Sequence, residues 1–271
     1  MNSNPSSGGV VLARRAGKVL VLTINRPAAC NAMSRAVYGG IIGHMKEAET
    51  DPEVNCVVLT GQGKFFSAGV DLKERQAEQI APHDFFESAM FSDDRPGHFY
   101  CYLSRYRKPL ITAINGPALG GGAITAMLGD ISVMASDAYL SLPEIERGVT
   151  ADGATLVLPR LTSRAQAMYL VLTGRKCLAA RAESIGLVSM VVAPDEVMTT
   201  ALELAEDIAR RSGVAVRLFK TALQAGPWGD RVEADTIRQA MLALAQNTPE
   251  RLANTRAAVE SISSASKHSP S

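Results

Sequence analysis

The chain has 271 residues, of which 46% are hydrophobic and 20% are charged, and its 28 basic and 27 acidic residues give a formal net charge of +1. This length can bury a sizeable core, either as one large α/β domain or as a core with a smaller appendage. The balanced charge offers no basic field for nucleic acid and no polybasic run for a membrane surface. We therefore expect neither a nucleic-acid nor a membrane partner.

The four cysteines lack CxxC spacing, which predicts reduced thiols in a reducing compartment rather than a disulfide framework or a zinc site. They are Cys30, Cys56, Cys101 and Cys177. Residues 1–9 lack the apolar run of a signal peptide, and no stretch approaches the ~18 consecutive apolar residues of a membrane span. The expectation is a cytoplasmic protein without a metal site.

Short apolar runs alternate with helical stretches over the first two thirds of the chain. A helix over 34–48 follows the first run, after the turn signal Asn25-Arg26-Pro27. Strands separated by helices favour parallel pairing through crossover connections, so we predict an α/β fold. The predicted strands are 19–24, 54–59, 110–114, 131–135 and 188–192.

The pattern becomes wholly helical from about Met198. This helical block has two alternative explanations, which are packing on the core of the same chain and contact with other subunits. Residues 1–9 and 262–271 are predicted to be disordered tails. Apolar spacing predicts helices over 201–209, 216–223, 231–245 and 250–259.

Two glycine-rich loops follow predicted strands. Gly120-Gly121-Gly122 opens an apolar helix, where unpaired N–H groups stabilise an anionic oxygen. The Gly-Lys-Ser/Thr ending of a phosphate loop is missing, and the glycine spacing does not fit a dinucleotide fingerprint. In the second loop, Ala68-Gly69 precedes Asp71, which is either part of a ligand site or a helix cap.

These loops belong to a longer series of motifs that resembles the crotonase (enoyl-CoA hydratase/isomerase) family. The match runs in order from about residue 10 to 260. It includes Asn25-Arg26-Pro27, Asn31-Ala32-Met33, Phe66-Ser67-Ala68-Gly69-Val70-Asp71-Leu72, Lys108-Pro109, Asn115 to Gly122, and Leu142-Pro143-Glu144.

The resemblance implies a crotonase-like spiral of ββα units over 10–197 and a helical trimerisation region over 198–261. It implies an acyl-CoA thioester as substrate, no separate cofactor because coenzyme A is part of the substrate, and homotrimers or dimers of trimers. By the same resemblance, the N–H groups of Ala68 and Gly121 form an oxyanion hole. Two donors in fixed positions stabilise the negative charge on the oxygen of a thioester enolate, and the protein need not reorganise as that charge develops. The resemblance also implies that coenzyme A is bordered by residues Ala68, Gly69, Val70, Asp71 and Leu72.

The acid/base residues depart from the family pattern. Family hydratases carry glutamates at the sites matching 124 and 144, whereas this chain has Ile124 and Glu144. Isoleucine cannot orient water or move a proton, so Glu144 alone is the candidate general base. Family isomerases that lack the first glutamate are similar. Asp152 lies eight residues after Glu144, as in dienoyl-CoA isomerases, and is either a second acid or a turn carboxylate.

Three hypotheses follow for the function. The first is isomerisation of an enoyl-CoA or dienoyl-CoA double bond with Glu144 as base. The second is hydration by Glu144 and Asp152 together. The third is a non-catalytic acyl-CoA-binding homologue.

The stretch 80–106 covers the acyl pocket in the family, and its aromatic density suits an apolar or ring-bearing acyl group. Ordinary helix packing is the alternative for most of these side chains. They are Phe85, Phe86, Met90, Phe91, Phe99, Tyr100, Tyr102 and Tyr106, with His83 and His98 among them.

Overall fold

The computed structural model describes residues 9–77 and 96–225, and the chain divides into two compact units, 1–209 and 210–271. The strands are β1 (Val11–Ala16), β2 (Val19–Ile24), β3 (Cys56–Gly61), β4 (Leu110–Ile114), β5 (Ala118–Leu119), β6 (Ile131–Ala135), β7 (Tyr139–Ser141), β8 (Cys177–Leu178) and β9 (Met190–Val192). The helices are α1 (Arg35–Thr50), α2 (Leu72–Ala77), α3 (Pro96–Arg105), α4 (Gly121–Met127), α5 (Asp152–Leu161), α6 (Arg164–Thr173), α7 (Ala179–Ser184), α8 (Val197–Ala209) and α9 (Gly213–Ala225). Two short 3-10 helices, η1 (Pro27–Ala29) and η2 (Pro143–Arg147), complete the described elements.

A six-stranded sheet in the order β1-β2-β3-β4-β6-β9 forms the centre of the first unit. Strand β1 pairs antiparallel to β2, and all other neighbours in this sheet are parallel. Every residue of β3 and β4 is buried, as expected for central parallel strands covered on both faces. The predicted α/β fold is confirmed.

The five strands predicted from apolar runs all belong to this sheet. Three of them, 19–24, 110–114 and 131–135, have the predicted bounds. Strand β3 begins two residues later than predicted and extends to Gly61, and β9 is confined to Met190–Val192. Strand β1 was not predicted, because its exposed Arg14 and Arg15 interrupt the apolar run at the sheet edge.

Helix α8 packs against β3 and β4. Ala201, Ala205 and Ala209 repeat every four residues, so their small buried side chains form one face that allows close approach to the sheet. The first part of the block predicted over 198–261 therefore packs on the core. Helix α9 belongs to the second unit, and the helices predicted over 231–245 and 250–259 lie outside the described residues.

Within the described ranges, no helix combines the length and the apolar character needed to cross a bilayer. Cys30, Cys56, Cys101 and Cys177 are free thiols.

A buried lysine ties α1 to the central sheet. Lys108, directly before β4, is only 5% exposed. Its Nζ donates hydrogen bonds to the carbonyl oxygens of Ala48, Asp51 and Val54, each at 2.6 Å. These carbonyls belong to the end of α1 and the connection to β3. A positive charge there also interacts favourably with the negative end of the helix dipole.

We expect Lys108→Met to lower the free energy of unfolding by about 2–4 kcal/mol, because it leaves buried carbonyl oxygens without their charged donor. Urea unfolding followed by circular dichroism measures the loss. Lys18→Met is the matched control, since Lys18 is exposed and its replacement should change stability by less than about 0.5 kcal/mol. Equal midpoints for the two variants would show that Lys108 has no such role.

Candidate active site

The two-residue strand β5 joins the segments that carry the predicted site. On one side, the N–H of Leu119 donates to the carbonyl oxygen of Ser67 at 2.9 Å. On the other side β5 pairs parallel with β7, and the N–H of Gly120 donates to the carbonyl oxygen of Ser141 at 2.8 Å. The loop before Ala68 and the segment leading to Glu144 are therefore both fixed to the start of α4.

Gly121 is the first residue of α4, so its N–H is among those without an intrahelical acceptor. Gly69 lies directly against it. A Cβ atom at position 69 would lie 3.2 Å from the Gly121 nitrogen and 2.5 Å from the Leu119 carbonyl oxygen, and Gly69 has a φ of +87°. Glycine is required at 69 by both contact and conformation, and its missing side chain keeps the Gly121 N–H approachable.

Ala68 is exposed, but its N–H donates to the carbonyl oxygen of Cys30 at 2.9 Å. Cys30 and Asn31 both have left-handed backbone conformations, with φ of 49° and 56°. The buried amide of Asn31 holds this turn by donating to the carbonyl oxygens of Gln62 and Phe65 at 2.9 and 2.7 Å. The predicted donor at Ala68 thus has an acceptor within the protein, and its role in an oxyanion hole stays a prediction.

Glu144 lies in η2, and its carboxylate contacts the turn that precedes Gly121. A Cβ atom at position 120 would lie 2.7 Å from its Oε1, and Oε2 is buried. Gly120 itself has a φ of +50°, a conformation that L side chains rarely adopt. The structure therefore brings together Glu144 and Gly121, two residues that the sequence assigned to one site. Glu146, in the same short helix, is exposed.

Ile124 occupies the next turn of α4 and is 1% exposed. A Cβ atom at Gly153 would lie 2.8 Å from Cγ2 of Ile124 and 2.6 Å from Cδ2 of Tyr100. Ile124 and the Tyr100 ring therefore pack together against the start of α5. Asp152 is the first residue of α5, but its side chain is outside the described part of the structure, so its role as a second acid stays a prediction.

Helix α3 and Tyr106 directly after it supply the described part of the predicted acyl region. Phe99, Tyr100 and Tyr106 are buried, whereas Tyr102 and His98 are partly buried. His83, Phe85, Phe86, Met90 and Phe91 lie outside the described residues.

The sequence did not identify one tyrosine that lies near the site. Tyr38 of α1 packs its ring 4.9 Å from that of Phe99, and its hydroxyl oxygen would lie 3.5 Å from a Cβ atom at Gly121. Its only sequence signal is a place in the apolar repeat of α1, which gives no indication that it reaches the glycine loop.

An ion pair holds the predicted coenzyme A segment against the chain that follows β2. Arg26 donates from Nη2 to Oδ2 of Asp71 at 2.8 Å and from Nη1 to the Ala32 carbonyl oxygen at 2.6 Å. Oδ1 of Asp71 accepts from the N–H groups of Lys73 and Glu74 at the start of α2, which is the helix-cap role considered for it.

Burial by itself raises the pKa of Asp71, but the hydrogen bond from Arg26 and those from backbone N–H groups outweigh it. The pKa of Asp71 therefore lies below its ordinary value of 3.8. Because the folded-state pKa is depressed, ionised Asp71 stabilises the fold above the unfolded pKa. This contribution is lost as the pH falls through the folded pKa.

We expect Asp71→Asn to be less stable than the wild type at pH 7 by about 1 kcal/mol, and this difference to shrink as the pH falls below about 4. Thermal or urea unfolding over a pH series measures it. Asp137→Asn, at an exposed turn, is the control and should follow the wild type within about 0.5 kcal/mol. A stability difference that does not change with pH would contradict the role of the ionised carboxylate.

Comparison with known proteins identifies the family of the chain. A sequence model of the enoyl-CoA hydratase/isomerase family matches residues 14–261. The chain is 37% identical to the 2,3-dehydroadipyl-CoA hydratase of Escherichia coli K12, over 79% of this chain and 81% of that protein. It is 38% identical to the short-chain-enoyl-CoA hydratase of Clostridium acetobutylicum, over 80% of this chain and 81% of that protein.

The crystal structure of an enoyl-CoA hydratase from Bacillus anthracis has the same fold. It superposes with a TM-score of 0.85 at 29% identity, covering 93% of this chain and 96% of that one. This likeness confirms the predicted crotonase-like fold. The family match covers nearly the whole chain, including every loop that builds the site. The chain belongs to the enoyl-CoA hydratase/isomerase, or crotonase, family.

Proposed function

We propose that this chain is an acyl-CoA enzyme that isomerises a carbon–carbon double bond through a thioester enolate, with Glu144 as the single base and acid. The observation that supports it is that the Glu144 carboxylate contacts Gly120, the residue directly before α4. The N–H of Gly121 and the apolar side chain of Ile124 both belong to α4. Acyl-CoA processing is the chemistry of the family, and the choice of reaction depends on these side chains.

In this mechanism Glu144 removes a proton from C2 of a 3-enoyl-CoA, and the electron pair of the C–H bond moves onto the thioester oxygen as a dienolate. The protonated Glu144 then returns the proton at C4, which leaves a 2-enoyl-CoA and restores the carboxylate. Proton and electrons balance without an oxidant or a second substrate. The Gly121 N–H donates to the enolate oxygen, where a fixed donor lowers the barrier by about 3–4 kcal/mol.

The second donor in this proposal is the N–H of Ala68. It already donates to the Cys30 carbonyl oxygen, so its contribution takes the form of a three-centre hydrogen bond shared between Cys30 and the substrate. The segment Ala68 to Leu72 as the coenzyme A contact, and a homotrimer or dimer of trimers as the assembly, are also proposals. They rest on the resemblance of the motifs to those of the family.

The side chain at 124 favours isomerisation over hydration. Adding water needs a group that holds the water and one that delivers its proton, whereas moving a proton within the acyl chain needs one carboxylate. Ile124 is buried and apolar, and cannot hold water.

Hydration is the second candidate, and the relatives favour it, since those from Escherichia coli and Clostridium acetobutylicum are named hydratases. In this candidate Asp152 supplies the second acid beside Glu144.

We expect Glu144→Gln to lower turnover of the preferred enoyl-CoA by about 10²- to 10⁴-fold, because the amide cannot accept the proton. Absorbance assays with 3-enoyl-CoA, 3,5-dienoyl-CoA and 2-enoyl-CoA measure both reactions, and calorimetry with a saturated acyl-CoA measures binding. Glu146→Gln is the control and should retain turnover, since Glu146 is exposed. A wild type that binds acyl-CoA but turns over none of the three would indicate a binding protein, and unchanged turnover in Glu144→Gln would remove Glu144 as the base.

Asp152→Asn separates the two reactions. Under the isomerase proposal, 3-enoyl-CoA isomerisation by this variant stays within about tenfold of the wild type, because Glu144 acts alone. Hydration of 2-enoyl-CoA that is faster than isomerisation and is lost in Asp152→Asn would instead support the two-acid hydratase. Fast hydration that survives Asp152→Asn would reject both assignments of the acids.

A further inference from the structure

Tyr100 places a hydroxyl group close to Gly121. A Cβ atom at position 121 would lie 2.5 Å from the Tyr100 hydroxyl oxygen, the shortest contact that such an atom would make. The hydroxyl oxygen is therefore at most ~5.5 Å from the Gly121 nitrogen, because two covalent bonds of ~1.5 Å each separate that nitrogen from the Cβ position. This separation does not exceed the sum of a hydrogen bond of ~2.9 Å from the N–H and one of ~2.7 Å from the hydroxyl, so one oxygen atom is within reach of both donors.

The packing around Tyr100 fixes its ring. The side chain is 2% exposed, and its ring centroid lies 5.8 Å from that of Phe99 in an edge-on arrangement. On the other side, the ring and Ile124 fill the space that a Cβ atom at Gly153 would occupy. The residue that replaces the family glutamate therefore helps to position a phenol.

The hydrogen bonding of the Ala68 N–H explains why the site would use a hydroxyl as a further donor. The N–H of Ala68 donates to the Cys30 carbonyl oxygen, so only part of its hydrogen-bonding capacity reaches a substrate. A hydroxyl donor in a buried, apolar environment interacts strongly with an oxygen on which charge develops.

We propose that Tyr100 is a catalytic residue whose hydroxyl donates a hydrogen bond to the thioester oxygen together with the Gly121 N–H, an inference that rests on the enolate chemistry proposed above. The hydrogen bond strengthens as charge moves onto that oxygen. Its proton stays on the phenol, so Glu144 remains the only group that transfers a proton.

The first test is Tyr100→Phe, which removes the hydroxyl and keeps the ring. We expect kcat to fall about 10- to 100-fold, while the dissociation constant of a saturated acyl-CoA changes less than about threefold. Tyr169→Phe is the control, because Tyr169 lies on α6, is 36% exposed and is not part of the candidate site. Tyr38→Phe tests the other hydroxyl near Gly121, and a loss confined to Tyr38→Phe would overturn the assignment to Tyr100.

The second test needs no turnover. The infrared frequency of a ¹³C-labelled thioester carbonyl in a bound saturated acyl-CoA falls with each hydrogen bond that the carbonyl accepts. We expect a higher frequency in Tyr100→Phe than in the wild type. Gly153→Ala should shift the frequency in the same direction, since its Cβ displaces the Tyr100 ring, whereas Gly43→Ala should not, since its Cβ meets open space.

An unchanged frequency and unchanged kcat in Tyr100→Phe would overturn the inference. A wild type that turns over no enoyl-CoA would reject the proposed function, yet the carbonyl frequency would still decide whether Tyr100 contacts the thioester. A wild type that binds no acyl-CoA would overturn both.

Discussion

Two backbone hydrogen bonds at strand β5 organise the candidate site. The bond from Leu119 to Ser67 joins the loop of Ala68 to the start of α4, and the bond from Gly120 to Ser141 joins the segment of Glu144 to the same point. Backbone groups inside a protein must be paired, so β5 cannot move away from either neighbour without leaving buried donors and acceptors unsatisfied. Residues 76 positions apart in the chain, Ala68 and Glu144, are held around one helix start by this constraint.

Glycine is required at two positions of the site because these segments approach one another closely. At Gly69 a side chain would meet the Leu119 carbonyl oxygen and the Gly121 nitrogen, and at Gly120 it would meet the Glu144 carboxylate. Because Gly69 has no side chain, none from that position covers the N–H of Gly121. Close backbone packing and access for a ligand are therefore two consequences of the same residues.

The role of Ile124 in the site depends on its packing with Tyr100 and Gly153. By the resemblance of the motifs, Ile124 occupies a position where family hydratases carry a glutamate. In the fold, it also packs with Tyr100 against Gly153, so the apolar side chain and the buried phenol form one unit. This unit lies close to Gly121 and Glu144 lies close to Gly120, which gives the site one proton-transfer group and one additional hydroxyl donor in our proposal.

The sequence by itself determined the five parallel strands of the large sheet, the α/β class, the family and the pairing of Glu144 with the glycine loop, because long apolar runs and ordered motifs carry that information locally. It did not reveal β5 and β7, since strands of two and three residues show no periodicity. Nor did it reveal that the Ala68 N–H bonds to Cys30, or that the hydroxyls of Tyr38 and Tyr100 approach Gly121. Those contacts join residues far apart in the chain, so only tertiary packing decides them.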